Sequence, residues 1–317
     1  KDDRVLIALG GNALTKKYSA DSYHEQRERV RTTVIGLVDL IEQGVEPVIT
    51  HGNGPQVGNM LLQQELASDE VPALPLDACG SMSQGFIGYL LQQQIRNGLK
   101  RDGIDRQVTT VVTEVLVDPE DEEFENPTKP VGPNYSADEA EALQDQRGWE
   151  MVETHYDTYR RVVPSPDPLE IIQFETVEEL VEQNNIVIST GGGGVPVIEE
   201  AGNEHEGVEA VVDKDLSAAK LGSLVEADVL LVLTSVDHAI LNYQTSNEIP
   251  LERISVSEAR EHYSNDEFPP GSMGPKVKGA INFIESGGER AVITHVNSAQ
   301  EGYNRETGTQ IVPDDEL

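Results

Sequence analysis

Lys129, Lys214 and Lys276 stand in glycine- or proline-rich connections, in a chain that holds only nine lysines. Ammonium groups kept in such places suit the handling of negative charge. Lys129 lies in Asn126-Pro127-Thr128-Lys129-Pro130, and Lys214 lies between two acids in Asp213-Lys214-Asp215. Lys276 closes Gly271-Ser272-Met273-Gly274-Pro275-Lys276. Phosphoryl transfer spreads charge over three equatorial oxygens, so a protein promotes it by positioning and electrostatic stabilisation. Lysines aimed at the migrating phosphoryl, with an aspartate ordering them, would meet that need. Asp213 is expected to act as the N-cap of the helix that Lys214 opens.

Four glycine-rich segments accompany the lysines: Gly10-Gly11-Asn12-Ala13, His51-Gly52-Asn53-Gly54-Pro55-Gln56-Val57-Gly58, Gly191 to Gly194, and the Gly271 segment. Each is read as following a strand. There glycine lets the backbone turn sharply and present bare N–H groups to an anion, with the next helix dipole adding positive charge. One pair of glycines is explained by a tight turn; four segments at one sheet edge are not. No G-x-x-x-x-G-K-[ST] is present, which excludes a P-loop. The second loop is one residue too long for a dinucleotide fingerprint, and Thr50-His51 stands where a ribose-binding acid would be needed. His51 is read as a hydrogen-bonding member of its loop, with a general base as the competing role. The seven histidines show no metal-ligand spacing, and no protein metal site is expected. Cys79, the sole cysteine, is read as a small packed residue. Tyr243 either stacks on a base or packs in the core.

The elements that must position these residues alternate. Strands are expected at Val5–Leu9, Val45–Thr50, Thr109–Val117, Ile186–Ser189, Val208–Val212, Val229–Leu233 and Ala291–Thr294. Helical spacing of apolar residues marks 26–42, 56–66, 84–99, 176–182, 216–225, 256–263 and 277–285. This alternation predicts an α/β fold with a mainly parallel central sheet covered on both faces, and ligands in such sheets bind beyond the carboxyl ends of the strands. Residues 118–168 break the pattern with proline, acid and the aromatics Tyr135, Trp149, Tyr156 and Tyr159. They are read as an inserted lid or small protruding subdomain within a single 1–317 domain.

Fifty-seven acidic residues against twenty-three basic ones give a formal net charge of -34. Self-repulsion on that scale is screened by salt. The acid is scattered along the chain, which favours adaptation to a cytosol of molar salt over a surface for a cationic partner. No basic face is available for nucleic acid, and no run is long enough to cross a membrane. A soluble cytoplasmic protein is expected.

These residues resemble the carbamate kinases, a branch of the amino acid kinase family, almost from end to end. The likeness rests on Ala8 to Ala13, His51 to Asn59, Pro75-Leu76-Asp77 and Gln84 to Tyr89. It continues through Asn126 to Pro133, Arg161 to Pro166, Gly191 to Val197, Val211 to Asp215, Leu233 to Asp237 and Gly271 to Lys276. The resemblance implies a three-layer αβα sandwich with a small protruding subdomain, assembled as a homodimer. It also implies reversible phosphoryl transfer between ATP and carbamate, giving ADP and carbamoyl phosphate, with Mg2+ on the nucleotide. By the same likeness Lys129, Lys214 and Lys276 contact the phosphoryl in flight or the nucleotide phosphates, and Asp215 orders the lysines. Gly10, Gly11, Asn12, Gly52 and Asn53 hold the carbamoyl phosphate end. Thr234, Ser235, Val236, Tyr243, Met273 and Gly274 line the nucleotide site. ATP formation during arginine fermentation is the role it implies; another amino acid kinase, acting on acetylglutamate or uridine monophosphate, or a non-catalytic nucleotide binder, are the competing readings. Carbamate is already an anionic nucleophile, so a site of amides and lysines without an obvious base suits it.

Overall fold

Short aliphatic runs buried on both faces build the centre of the molecule. The computed structural model describes residues 3–11, 14, 22–155 and 158–317. Its first elements are β1 (Arg4–Leu9), α1 (Tyr23–Glu42), β2 (Glu46–His51), α2 (Gly54–Ala67), α3 (Leu76–Arg101) and β3 (Val108–Thr110). Val5 to Leu9 are fully buried, as a central parallel strand requires. α1 begins at a capping box, in which Ser22 and Glu25 satisfy each other's backbone N–H groups.

After β4 (Glu114–Leu116) the chain builds a separate antiparallel sheet from β5 (Lys129–Tyr135), α4 (Ala137–Arg147), β6 (Glu150–His155) and β7 (Thr158–Val163). Trp149 is flanked by the guanidinium groups of Arg147 and Arg161, 4.8 and 4.4 Å from its ring centroid. Tyr135 donates to Glu65 of α2 at 2.8 Å, and Arg161 pairs with Glu209. The small sheet is thereby fastened to the body.

The chain continues through β8 (Glu170–Ile171), α5 (Phe174–Glu182), β9 (Ile186–Ile188), β10 (Val195–Glu200) and β11 (Glu204–Gly207). α6 (Lys214–Leu224), β12 (Val229–Thr234), β13 (Ile240–Leu241), β14 (Ile249–Pro250) and β15 (Arg253–Ser255) follow. The last elements are α7 (Val256–Ser264), α8 (Met273–Glu285), β16 (Arg290–His295), α9 (Ala299–Tyr303) and β17 (Thr309–Val312).

The central sheet has eight strands in the order β15-β17-β16-β12-β1-β2-β9-β3. Only the β16–β17 pairing is antiparallel. Alternate residues of β1 face two cores: Leu6 and Ala8 pack with α6 and α8 residues such as Leu221 and Phe283. Val5, Ile7 and Leu9 pack with Leu37 of α1 and Leu91 of α3. The result is the αβα sandwich. Because β1, β2, β9 and β12 run parallel, their carboxyl ends open on one rim, where ligands of open α/β sheets bind.

Two expected strands are corrected. The run 109–117 is not continuous: β3 belongs to the central sheet, and β4 to a four-stranded sheet with β8, β10 and β11. At the break, Thr113 exchanges its backbone bonds with the Gln84 side chain of α3, at 2.8 and 3.0 Å. A helix amide therefore takes the Thr113 N–H, while the Thr113 carbonyl also accepts from the Val195 N–H of β10 at 2.8 Å. The segment 208–212 is no strand either, because its N–H groups go to scattered acceptors. Val208 donates to Pro196, Ala210 to Val208 and Val211 to Pro164. The Gly271 segment, read as following a strand, instead follows α7 and leads into α8.

Candidate active site

The three lysines meet around the first turn of α6. Asp213 is its N-cap, with extended φ and ψ of -69° and 127° and Oδ1 accepting from the Asp215 N–H at 2.9 Å. Its other oxygen, Oδ2, accepts from Lys129 Nζ at 2.8 Å. One carboxylate thus caps the helix and anchors the start of β5. Asp215 lies 2% exposed, and its Oδ1 accepts from Lys214 Nζ. Its Oδ2 accepts from Lys276 Nζ at 2.9 Å, and Lys276 also donates to the Ser272 carbonyl at 3.2 Å. Lys276 reaches Asp215 because α8 crosses close to α6. A Cβ on Gly279 would stand 2.6 Å from the Asp215 carbonyl oxygen, so only glycine allows that approach.

Burial and charge oppose each other here. Burial alone would raise the Asp215 carboxyl, but the Lys214 and Lys276 charges and their hydrogen bonds outweigh it and hold the group far below the usual carboxylate range. Burial pulls the Lys214 ammonium below its ordinary value, with Asp215 opposing and Lys276 assisting. At Lys276 burial also works downward, but the Asp215 charge prevails and the group is raised.

The glycine loops arrive from the rim. Gly10 N–H donates to the Leu233 carbonyl at 2.8 Å, and Gly52 N–H to the Leu9 carbonyl at 2.9 Å. A Cβ on Gly52 would lie 3.1 Å from Gly11 N and 3.5 Å from Lys214 Cδ. The first loop, the second loop and the α6 lysine therefore touch at Gly52. Asn53 donates to Ser83 Oγ at 2.7 Å and lies against Gly192 of the third loop. That loop is tied to α6 by Ser217 Oγ, which donates to the Gly193 carbonyl at 2.7 Å. Asn12 lies outside the described residues.

His51 ends β2, fully enclosed, and burial first, then the Lys214 charge, lower it to about 4 against the opposing Gly52 hydrogen bond. The ring is neutral at pH 7. Its Nδ1 carries the proton and donates to the Gly52 carbonyl at 3.0 Å. The histidine shapes the loop, as the hydrogen-bonding reading expects.

Thr234 ends β12 beside Gly10, and Ser235 and Val236 continue from the same rim. Met273 and Gly274 open α8, with Gly274 N–H donating to the Pro269 carbonyl at 3.0 Å. Tyr243 lies between β13 and β14 and is 47% exposed, which sets aside a core role. Among the described residues no hydrogen bond or ring contact joins it to the lysines. Cys79 is fully buried against Val57 and Leu76.

A cleft of about 960 Å³ opens beside the cluster, between the small sheet and α8, with Lys129, Arg160, Asp213, Tyr263 and Lys278 in its walls. That volume is ample for a nucleotide-sized ligand. Lys278 donates to both oxygens of Asp167, at 3.0 and 2.9 Å. The Asp213 contact with Lys129 and the place of Lys278 were not foreseen from sequence. Scarcity of lysine was a usable signal for Lys278, two residues past Lys276; nothing in the sequence showed that Lys129 would fold back onto a helix cap.

Residues 3–295 match the model of the amino acid kinase family. The chain is 49% identical over 313 residues to the carbamate kinase of Pyrococcus horikoshii, covering 98% of this chain and 99% of that protein. It is 43% identical over 313 residues to the carbamate kinase of Clostridium perfringens, with the same coverage. Among solved structures, the carbamate kinase of Giardia lamblia bound to AMP-PNP superposes with a TM-score of 0.93 at 39% identity, covering 99% of both chains. The same Giardia lamblia enzyme, thiocarbamoylated by disulfiram on a cysteine, gives 0.91 at 39% identity with equal coverage.

Proposed function

Because the chain belongs to the amino acid kinase family, and to the carbamate kinases within it, we propose that the lysine cluster is where a phosphoryl group passes between ATP and carbamate. The observation that carries this reading is the sharing of Asp215 by Lys214 and Lys276, with Lys129 held on the neighbouring Asp213. Cationic donors fixed in a largely buried site stabilise the charge that develops on the phosphoryl oxygens. The reacting oxygen of carbamate already carries negative charge, so no side chain must deprotonate it. Neutral, buried His51 is then no liability.

In this reading Gly10, Gly11, Gly52 and Asn53, with Asn12, hold the carbamoyl phosphate end. Thr234, Ser235, Val236, Tyr243, Met273 and Gly274 border the nucleotide, and residues 118–168 act as the lid that delivers Lys129. Mg2+ fits as an ion held through nucleotide phosphates. Asp213 and Asp215 are engaged by lysines, and among the described residues no group of three or more His, Cys, Asp or Glu forms a metal cluster. When bound, the ion would neutralise part of the phosphate charge.

A homodimer is supported by the edge position of β3, by exposed Met82 and Tyr89 on α3 and by exposed Val112 just after β3. A second copy would cover that patch, and Tyr89→Glu should then sediment as a monomer. The physiological direction we favour is ATP formation from carbamoyl phosphate and ADP in arginine fermentation, in the cytoplasm. ADP phosphorylation by carbamoyl phosphate in concentrated potassium chloride tests the assignment. Lys214→Ala should abolish transfer while leaving nucleotide binding measurable; unchanged turnover would show that the site is misplaced.

A further inference from the structure

At the opposite edge of the central sheet from β3, a second cavity of about 370 Å³ lies over β15 and β17. Three of the fourteen arginines in the sequence line it, namely Arg253, Arg290 and Arg305, together with His238. In a chain with 57 acidic residues, that concentration of guanidinium groups is unexpected. Glu252 and Glu306 share the lining, yet among the described residues none of the three arginines forms an ion pair.

Arg290 is the most constrained of them. Only 5% exposed, it donates through Nη1 to the Tyr303 carbonyl at 2.8 Å and to Gln310 Oε1 at 3.1 Å. The Tyr303 ring lies 5.4 Å from its guanidinium carbon. Its buried Nε has no hydrogen-bond partner. Its hydrogen bonds go only to neutral acceptors, and Asp3 and Glu289 offset its charge from a distance without forming an ion pair with it; a buried guanidinium is ordinarily paired directly. Burial first, then the like charge of Arg305, lowers the Arg290 group against the opposing Tyr303, Asp3 and Glu289. Arg305 also holds a left-handed backbone, φ 67°, a conformation that favours glycine over arginine.

We propose that this cavity binds a small oxyanion bearing two negative charges, a phosphate group either free or carried as a monoester. Guanidinium forks match phosphate oxygens in paired hydrogen bonds. Three guanidinium groups line the cavity, with Arg253 Nη2 engaged by the Glu316 carbonyl and Arg290 Nη1 by Tyr303 and Gln310, which leaves their remaining N–H groups for a ligand. The site stands apart from the lysine cluster, so it is an accessory site rather than a subsite of the reaction. It nevertheless adjoins the nucleotide segment: Ala239 N–H, next to His238, donates to Thr309 Oγ1 at 2.9 Å, at the start of β17.

The test uses the full chain with Lys214→Ala as background, which weakens the competing affinity of the lysine cluster for phosphate. Inorganic phosphate and glycerol 3-phosphate are titrated by calorimetry at constant ionic strength. At least one should bind that variant. Adding Arg253→Ala or Arg305→Ala should weaken binding about tenfold each, the scale of one charge-assisted hydrogen bond. Arg305→Lys, which keeps charge without the fork, should lose less. In the otherwise unaltered chain, Arg253→Ala and Arg305→Ala should leave kcat unchanged, which separates this site from the reacting one. Tighter binding of one probe tells whether the ligand is free or esterified. Binding of neither probe, or binding indifferent to both arginine substitutions, overturns the proposal.

Discussion

Replacing Asp215 by asparagine keeps the shape of the side chain and removes the charge that two lysines share. Lys214 and Lys276 are mostly buried, with side chains 12% and 14% exposed. A unit charge pair at about 4 Å and an effective dielectric constant of about 20 is worth roughly 4 kcal/mol. Burial already lowers Lys214, so losing that attraction drives its ammonium further toward the neutral amine. An uncharged Lys214 cannot stabilise a migrating phosphoryl. At about 1.4 kcal/mol per factor of ten, the corresponding loss in kcat for ADP phosphorylation by carbamoyl phosphate is on the order of a thousandfold. The rate of Asp215→Asn should also fall more steeply than the parent's as pH rises, because the remaining active fraction holds protonated Lys214. Circular dichroism in the same salt checks that the variant is folded, since breaking a buried pair costs about 3–5 kcal/mol of stability. A folded Asp215→Asn enzyme with kcat within a few-fold of the parent and an unaltered pH profile would refute the argument.

The buried ring of His51 makes the fold sensitive to acid. Its folded pKa, about 4, lies below the ordinary 6.5, so the unfolded chain binds the proton first. The stability is complete above 6.5 and is lost as pH falls toward 4, by roughly 3 kcal/mol. Denaturant unfolding of the parent and of His51→Gln at pH 7 and pH 4 should show that much difference in acid sensitivity. Disulfiram modifies a cysteine of the Giardia lamblia carbamate kinase, but the sole cysteine here, Cys79, is buried and its thiol is raised by burial first, then by Asp77 and Glu209. Activity should therefore survive disulfiram, and thiocarbamoylation detected by mass spectrometry on the native protein would contradict this. The net charge of -34 repels nucleotide as well as itself. Raising potassium chloride from 0.1 to 1 M shortens the screening length from about 10 to about 3 Å, so KM for ADP should fall and the melting temperature rise. Full stability in desalted buffer would favour a cationic partner for the acidic surface instead.

Sequence periodicity revealed the layers because β1, β2, β9 and β12 are nearly continuous apolar runs and their covering helices keep one apolar face. It failed at Thr113, where a buried glutamine from α3 captures the backbone. β-Branched residues on both sides gave no hint of that long-range competitor. It failed again at 208–212, whose valines suit a strand but whose N–H groups find acceptors one at a time. The lysines were readable because acid is abundant elsewhere, although they stand not in connections but at the starts of β5 and α6 and in the first turn of α8. Their convergence was not, since Lys129 and Asp213 are 84 positions apart. The small sheet that carries Lys129 is fastened by Tyr135–Glu65 and Arg161–Glu209, pairs that pattern reading cannot match.

The two carboxylates hold the lysines without exhausting them. An ammonium group has three donors. Lys129 spends one on Asp213, Lys214 one on Asp215, and Lys276 one on Asp215 and one on the Ser272 carbonyl. Donors therefore remain on all three lysines, as the proposed phosphoryl transfer would need, and the carboxylates fix where those lysines stand. Three ammonium groups against two carboxylates also leave the site with one net positive charge, inside a shell that is strongly acidic. In the proposed function, anion binding draws on that local excess, since the Gly10 and Gly52 amides are already engaged by the Leu233 and Leu9 carbonyls. A carbamate oxygen, arriving with its own charge, needs nothing more from the protein than this orientation.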